Sequence, residues 1–273
     1  MYTKAIKKAL EFTRPLLIGR LFYKDRQVIN DISTMIVLNK NGDILTTARN
    51  ADIFLTSSEY NETYEKIIKE IDSSPKKAKK IEQKYGIKDD TLIGIHSIIM
   101  DIAKDAGKLN IIKHPSLDLA VVSIEKKGNI FVKDFPIFAK KNPEIGTDIC
   151  GVGFTFPEYK AFEYDNENKR IKVNYNYLNF PIFPTNGIVC RNIADKDEKI
   201  TMFEMNNQII NGQEGGPIMT RDGKLVGMIS GYKVIETNSI PFKIGIAINI
   251  ETIKDFLDKN NIEYEVEKWL VQM

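Results

Sequence analysis

Three charged residues, Arg49, Asp118 and Glu214, have the chemical types and the surrounding motifs expected of one shared site. Glu214 lies in the glycine-rich segment 212–217, which reads Gly-Gln-Glu-Gly-Gly-Pro. A carboxylate on such a short turn cannot perform the acyl transfer that a histidine-activated hydroxyl performs. Arginine cannot act as a general base, because its pKa stays above about 12. The three side chains are therefore suited to ion pairing rather than to acid–base catalysis.

The motifs around these residues resemble those of the trypsin-like serine peptidases. Segment 212–217 resembles the nucleophile motif Gly-x-Ser-Gly-Gly-Pro, with Glu214 in the serine position. The motif Leu-Thr-Thr-Ala-Arg, which ends at Arg49, resembles the strand that delivers the catalytic histidine. Residues 114–122 resemble the segment that carries the catalytic aspartate, and Asp118 matches it. The resemblance implies a degenerate triad in which these three side chains meet in one cleft.

The later segments 187–189, 223–231 and 244–249 resemble later strands of the same family, and the last two are most similar to its HtrA-like (Deg-like) branch. The resemblance implies an all-β fold with helical insertions, a trypsin-like double antiparallel β-barrel. It implies one domain over 1–273, with a first barrel at 15–140, a second barrel at 141–250, and a helix and tail at 251–273.

The pattern of the chain agrees with such a fold. Short apolar runs rich in β-branched residues alternate with turn residues, which favours strands over helices. Asn41-Gly42 and Asp222-Gly223 are typical of the turns of β-hairpins.

Residues 57–86 predict a helical hairpin inserted soon after Arg49. Apolar residues recur there at helical spacing. Ser74 and Pro75 form a plausible helix start, and Gly86 a plausible helix stop. The lysines of this segment are interpreted as a solvated helix face. We expect the hairpin to stand at one rim of the cleft.

Residues 159–178 predict a long β-hairpin. Apolar positions from Tyr159 to Ala161 and from Ile171 to Tyr175 flank a turn at 165–168. The resemblance places this connection beside the active site, where it would crowd the cleft. Ordinary loop variation is the alternative interpretation.

Two binding features follow from the resemblance. The backbone amides of Gly212 and Glu214 match the oxyanion-hole positions, and the carboxylate of Glu214 or of a ligand could occupy that hole. Ile229, Ser230 and Gly231 resemble the edge segment that pairs with a substrate backbone, where an extended peptide could add as a strand. Arg49 is expected to bridge Asp118 and Glu214 in a buried triad, so that its loss would destabilise the fold by a few kcal/mol.

The composition argues against several other functions. The formal net charge is +2, so nothing indicates a nucleic-acid partner. No apolar run is long enough for a membrane helix, and the N-terminus lacks the pattern of a secretory signal, so we expect a cytoplasmic protein. The only two histidines, His96 and His114, lack metal-ligand spacing and are interpreted as structural; no metal or cofactor is expected.

The two cysteines, Cys150 and Cys190, are each expected to be buried free thiols, with a disulfide between them as the alternative.

The sequence favours a catalytically inactive pseudopeptidase that acts as a binding or regulatory protein. Its partner would be an unidentified protein or an extended peptide, and a homo-oligomer is possible. Two alternatives stay open: a hydrolase that uses Glu214 or an outside residue in non-standard chemistry, and a purely structural subunit of an assembly.

Overall fold

The computed structural model describes residues 1–103, 106–126, 128–155, 161–174, 180–236 and 241–268. The helices are α1 (Thr3–Phe12), α2 (Ala48–Ser73), α3 (Ala78–Tyr85) and α4 (Ile250–Lys259), with short 3-10 turns at Lys24–Arg26 and Pro75–Lys77. Across these described ranges, none of the helices combines the length and the apolar character needed to cross a membrane.

Strands dominate the described residues. They are β1 (Thr13–Phe22), β2 (Val28–Val37), β3 (Asp43–Thr46), β4 (Leu92–Ile99), β5 (Ala106–Lys113), β6 (Ala120–Lys126), β7 (Ile137–Phe138), β8 (Asp148–Phe154), β9 (Phe162–Asp165), β10 (Arg170–Val173), β11 (Ile182–Ala194), β12 (Ile200–Met205), β13 (Pro217–Met219), β14 (Leu225–Ile235), β15 (Phe242–Asn249) and β16 (Glu265–Val266).

The first sheet has the antiparallel order β4-β1-β2-β3-β6-β5 and closes into a six-stranded barrel. The turn predicted at Asn41-Gly42 joins β2 to β3, and Gly42 has a φ of 89°, which a glycine adopts without strain. The central strands β2, β3 and β6 supply much of the buried core. The barrel thus positions Arg49, which follows β3 in the first turn of α2, and Asp118, which directly precedes β6.

The second sheet has the order β13-β8-β11-β12-β15-β14-β7-β16 and forms a half-barrel. Its pairings are antiparallel except those of β7, which runs parallel to both β14 and β16. Strand β7 (Ile137–Phe138), which precedes the expected boundary at 140/141, pairs within this sheet. The two sheets together confirm the predicted double β-barrel fold.

The inserted helix is longer than predicted. Helix α2 begins at Ala48, directly after β3, because the Thr47 side chain caps it by accepting a hydrogen bond from the Asn50 N–H at 3.2 Å. The predicted stop at Gly86 is confirmed, with a φ of 67°. The predicted start at Ser74 and Pro75 is confirmed in position, because a 3-10 turn begins at Pro75 and leads into α3, but the Ser74 side chain makes no capping hydrogen bond.

Helix α2 packs against the first barrel. The Tyr60 hydroxyl donates to the Leu92 carbonyl at 2.5 Å. The Asn61 amide donates to the Ile95 carbonyl and accepts from the Ile95 N–H, both at 2.7 Å. These bonds fasten the helix along β4, which stands at one end of the strand order. The insertion therefore packs mainly along β4, and its expected position at one rim of the cleft stays a prediction.

The hairpin formed by β9 and β10 also docks on the first barrel. Asn30 of β2 donates to the Phe162 carbonyl at 3.1 Å and accepts from the Phe162 N–H at 2.8 Å. The Phe162 ring lies over Gly19 of β1, where any Cβ atom would come within 2.7 Å of the ring. The hairpin predicted between residues 159 and 178 is present as far as it is described. Tyr159 and Tyr175 lie outside the described residues.

The two cysteines differ in environment. Cys150 is buried in β8, where burial raises the pKa of its thiol to about 11. Cys190 is exposed on β11, next to a register shift between Val189 and Arg191. The prediction of two buried thiols is therefore wrong for Cys190, and both cysteines are free.

Candidate functional site

Arg49 and Asp118 meet at the first turn of α2. The Asp118 carboxylate accepts the Arg49 backbone N–H at 3.0 Å through Oδ1 and the Arg49 Nε–H at 2.8 Å through Oδ2. A carboxylate is favoured at a helix N-terminus, where backbone N–H groups lack partners within the helix. The pair is open to solvent, since the Arg49 side chain is 66% exposed.

Arg49 also reaches the second barrel. Its Nη2 donates to the Ser230 carbonyl at 2.6 Å. Ser230 lies at a bulge of β14, between Ile229 and Gly231, where the register with β15 shifts. The guanidinium therefore links Asp118 of one barrel to a strand of the other.

Glu214 is not part of this ion pair. The structure describes both Glu214 and Arg49, and no hydrogen bond or salt bridge joins their side chains. Its carboxylate instead accepts the Gly212 N–H at 2.8 Å through Oε2. The expected Arg49 bridge between Asp118 and Glu214 is thus wrong. Glu214 folds back onto the nearest backbone donor, while Arg49 is held by Asp118 and Ser230.

The turn around Glu214 is shaped by glycines that no other residue could replace without strain. Gly212 and Gly215 have φ values of 104° and 85°. A Cβ at Gly215 would lie 2.1 Å from the Thr34 carbonyl oxygen. The turn therefore lies tightly against β2.

Sequence reasoning missed the polar side chains that hold this turn. Thr34 donates from its hydroxyl to the Gly212 carbonyl at 2.7 Å, and its N–H donates to the Glu214 carbonyl at 3.1 Å. Ser33 donates to the same Glu214 carbonyl at 3.0 Å, and Asn50 of α2 donates to the Ser33 hydroxyl at 2.8 Å. The signal in the sequence was a serine followed by a threonine within a strand, because polar side chains that become buried there need hydrogen-bond partners.

The two backbone N–H groups of the oxyanion-hole-like site differ in state. The Gly212 N–H donates to the Glu214 carboxylate. That of Glu214 makes no hydrogen bond to another residue in the described parts of the chain. Of the two donors expected to form an oxyanion hole, one is therefore occupied by a carboxylate of the same turn.

The predicted peptide-binding residues lie where the outer edge of β14 becomes free. Ile229 is fully buried and pairs on this side with the glycine turn, donating to Gly216 and accepting from Gly215, each at 2.8 Å. The Ser230 carbonyl is occupied by Arg49. From Gly231 to Ile235 the strand pairs only with β15 among described residues. The free edge thus starts at Gly231.

A cavity of about 710 Å³ lies at the far end of this edge. Its walls are mainly apolar and include Ile210, Ile235, Phe242 and Ile244. Two of these are exposed, Ile235 by 39% and Phe242 by 58%. The cavity and the edge together offer backbone hydrogen bonds beside apolar surface.

Exposure of the Arg49–Asp118 pair changes its expected energetic role. A thermal-denaturation cycle of Arg49→Ala and Asp118→Asn should give a coupling of about 0.2–1 kcal/mol, because solvent screens exposed ion pairs. The same cycle with Glu214→Gln in place of Asp118→Asn should give a coupling below about 0.3 kcal/mol, since the two side chains share no bond. A coupling of several kcal/mol between Arg49 and Glu214 would restore the buried triad.

The two histidines lie away from Glu214. Half-buried His96 is in β4, where burial lowers its pKa. His114 shapes the turn before Asp118: its Nδ1 accepts the N–H groups of Ser116 at 3.2 Å and Leu117 at 3.1 Å. The structure describes His96, His114 and Glu214, and neither imidazole makes a hydrogen bond to Glu214. The structural interpretation of His114 therefore has a specific basis.

Comparison with known proteins identifies the family. A family model described as "Trypsin" matches residues 88–257, which is more than half of the chain. A search of curated proteins found no significant match. The matched range contains Asp118, the Glu214 turn and the β14 edge, and the fold is the mostly-β double barrel described above. The chain therefore belongs to the trypsin family of serine peptidase domains.

Proposed function

We propose that this protein is a catalytically inactive member of the trypsin family that binds an extended peptide segment of another protein. The proposal rests on the two residues that occupy the nucleophile and base positions of the cleft. A carboxylate fills the nucleophile position and accepts the Gly212 N–H, and an arginine tied to Asp118 and Ser230 fills the base position. Acyl transfer needs a nucleophile and an adjacent base, and this pair provides neither.

The binding half of the proposal is supported by the β14 edge. An extended peptide can add to an exposed edge through main-chain hydrogen bonds, while pockets for alternate side chains give specificity. The edge from Gly231 to Ile235 has that geometry, and the adjoining cavity presents Ile235 and Phe242 to a side chain. Arg49 limits where the peptide can begin, because it already uses the Ser230 carbonyl.

The finer assignments belong to the same proposal. Segments 223–231 and 244–249, which form β14 and β15, support an HtrA-like affiliation. The free thiols of Cys150 and Cys190 suit a reducing compartment such as the cytoplasm. A homo-oligomer is compatible with the exposed edge.

A hydrolase with non-standard chemistry has less support. Glu214 would need a neighbouring group to activate it or a water molecule, and its carboxylate is bonded to a backbone N–H instead. A purely structural subunit would leave the β14 edge and its cavity unused.

Selection from a displayed library of random decapeptides tests the binding function. We expect enrichment of peptides with alternating apolar residues, since alternate side chains of an added strand face the same side. The enriched peptide, labelled with a fluorophore, should bind the purified protein in an anisotropy titration. N-methylation of alternate peptide bonds should abolish binding, because strand addition depends on main-chain hydrogen bonds.

Paired variants localise the binding. Ile235→Asp with Phe242→Asp should weaken binding at least about tenfold, because each removes apolar burial worth more than 1.4 kcal/mol. Ile145→Asp is the matched control, as Ile145 is 62% exposed and outside the lining of this cavity. The proposal fails if no peptide is enriched, or if the double variant binds as well as the control.

A further inference from the structure

Three Asn-Gly pairs occur in the chain, and each contains the groups needed for a self-modification of asparagine. The backbone nitrogen of the glycine can attack the side-chain amide carbon of the asparagine, because glycine brings no side chain to obstruct the ring that forms. The pairs are Asn41-Gly42, Asn186-Gly187 and Asn211-Gly212, and all three asparagines are exposed. Sequence and exposure therefore do not distinguish the three sites, and any difference in their reactivity comes from the local structure.

The pair Asn211-Gly212 has a base in place. The Gly212 N–H donates to Oε2 of Glu214 at 2.8 Å, so the nitrogen that must lose a proton already faces a carboxylate. A general base has to lie within hydrogen-bonding distance of the proton that it removes, and this distance meets that requirement. The Gln213 N–H donates to the Ile210 carbonyl at 3.1 Å, so the pair occupies the centre of a β-turn rather than a strand.

The oxygen of the same side-chain amide accepts a hydrogen bond from a different segment. The Tyr232 hydroxyl, on β14, donates to Oδ1 of Asn211 at 3.4 Å. Negative charge develops on this oxygen when a nucleophile attacks Cγ, and a hydrogen-bond donor stabilises such charge. The Asn211 amide thus has a donor at its oxygen, while a base faces the nitrogen that would attack it.

The other two pairs lack this arrangement. The Gly42 N–H donates to a neutral acceptor, the Asn39 carbonyl, at 3.3 Å. The carboxylate beside this pair, that of Glu263, accepts from the Asn41 side chain at 3.2 Å instead. Asn186-Gly187 lies inside β11, where pairing with β8 restrains the backbone rotation that ring closure needs. We therefore expect both pairs to react more slowly than Asn211-Gly212.

We propose that Asn211 is a site of self-catalysed succinimide formation, with the Glu214 carboxylate as the general base. The electron pair of the Gly212 nitrogen forms a bond to Asn211 Cγ, while the proton of that nitrogen passes to Glu214. The bond from Cγ to Nδ2 breaks with its electron pair staying on Nδ2, which takes the proton from Glu214 and leaves as ammonia. Water then opens the ring at either of its carbonyl carbons and gives aspartate or isoaspartate at position 211.

This reaction is a single self-modification, and it requires neither the proposed peptide binding nor a peptidase nucleophile. Either product places a new carboxylate on the turn that already carries Glu214. Isoaspartate also adds one carbon to the main chain of a turn whose glycines fit closely against β2. The modification would therefore change the turn at the centre of the candidate site.

The three pairs can be compared within one sample of the purified protein. Incubation at neutral pH, followed by proteolytic digestion and mass spectrometry, measures deamidation at each asparagine. We expect Asn211 to react at least about tenfold faster than Asn41 and Asn186, since a positioned general base contributes about 10²–10⁴-fold. In protein unfolded by urea the three rates should become similar, because each asparagine is followed by glycine.

Two matched variants test the role of the carboxylate. Glu214→Gln keeps an oxygen that can accept the Gly212 N–H but removes the base, so it should slow the reaction at Asn211 at least about tenfold. Glu263→Gln is the control and should leave that rate unchanged, because Glu263 contacts the Asn41 side chain. The proposal is overturned if Asn41 or Asn186 reacts as fast as Asn211 in the folded protein, or if Glu214→Gln reacts as fast as the parent.

Discussion

Replacing Phe162 by alanine should lower the free energy of unfolding by about 3–5 kcal/mol, the range for a buried phenylalanine. Phe162 is 2% exposed and packs over Gly19, in a cluster with Leu17, Ile32 and Phe154. That cluster joins the β9–β10 hairpin to the first barrel, so the loss should appear in the global transition. Chemical denaturation followed by circular dichroism measures it.

Phe131→Ala is the matched control, because Phe131 is 55% exposed and its truncation should cost less than about 1 kcal/mol. Equal effects of the two substitutions would mean that the hairpin does not dock on the first barrel.

Histidine at position 49 and serine at position 214 together should create reactivity towards a fluorophosphonate probe that neither change gives alone. The unmodified protein should not be labelled by a fluorophosphonate probe, because residue 214 has no hydroxyl. Arg49→His with Glu214→Ser should be labelled at least about a hundredfold faster than either single variant, since a general base contributes that factor or more. Labelling followed by intact-mass analysis measures the rates.

The structure explains why the double variant should work. Asp118 already lies 2.8 Å from the side chain of residue 49, where it could orient an imidazole. Removal of the Glu214 carboxylate frees the Gly212 N–H, and the glycine turn keeps its shape through Thr34. Labelling of Glu214→Ser alone at the same rate would show that a base other than residue 49 acts in this cleft.

The fold was predictable because it depends on repeated local signals. A few neighbouring residues are enough to predict each of these features: the turn at Asn41-Gly42, the helix stop at Gly86 and the motifs whose order indicates the fold. The start of α2 was missed because the capping residue, Thr47, lies inside a motif that otherwise indicates a strand. Local signals of opposite meaning overlap there, and only the packed structure decides between them.

The contacts of the site were harder to predict than its members. Arg49, Asp118 and Glu214 were identified, but a guanidinium has five donors and the sequence does not rank the acceptors available to it. The Ser230 carbonyl becomes available only because β14 bulges beside it. Likewise, Glu214 could pair with a cation or a backbone N–H, and the φ of 104° at Gly212 belongs to the turn that brings that N–H within reach.

Two asparagines replace strand pairing at the places where the insertions join the first barrel. Asn61 on α2 and Asn30 on β2 each supply one donor and one acceptor to a single backbone residue, Ile95 and Phe162 respectively. Each amide thus imitates one residue of a neighbouring strand without extending the sheet. An incoming chain finds those backbone groups already satisfied, which discourages self-templated aggregation along β4. Strand addition is then left to edges such as that of β14 from Gly231 to Ile235, which pairs only with β15 among described residues.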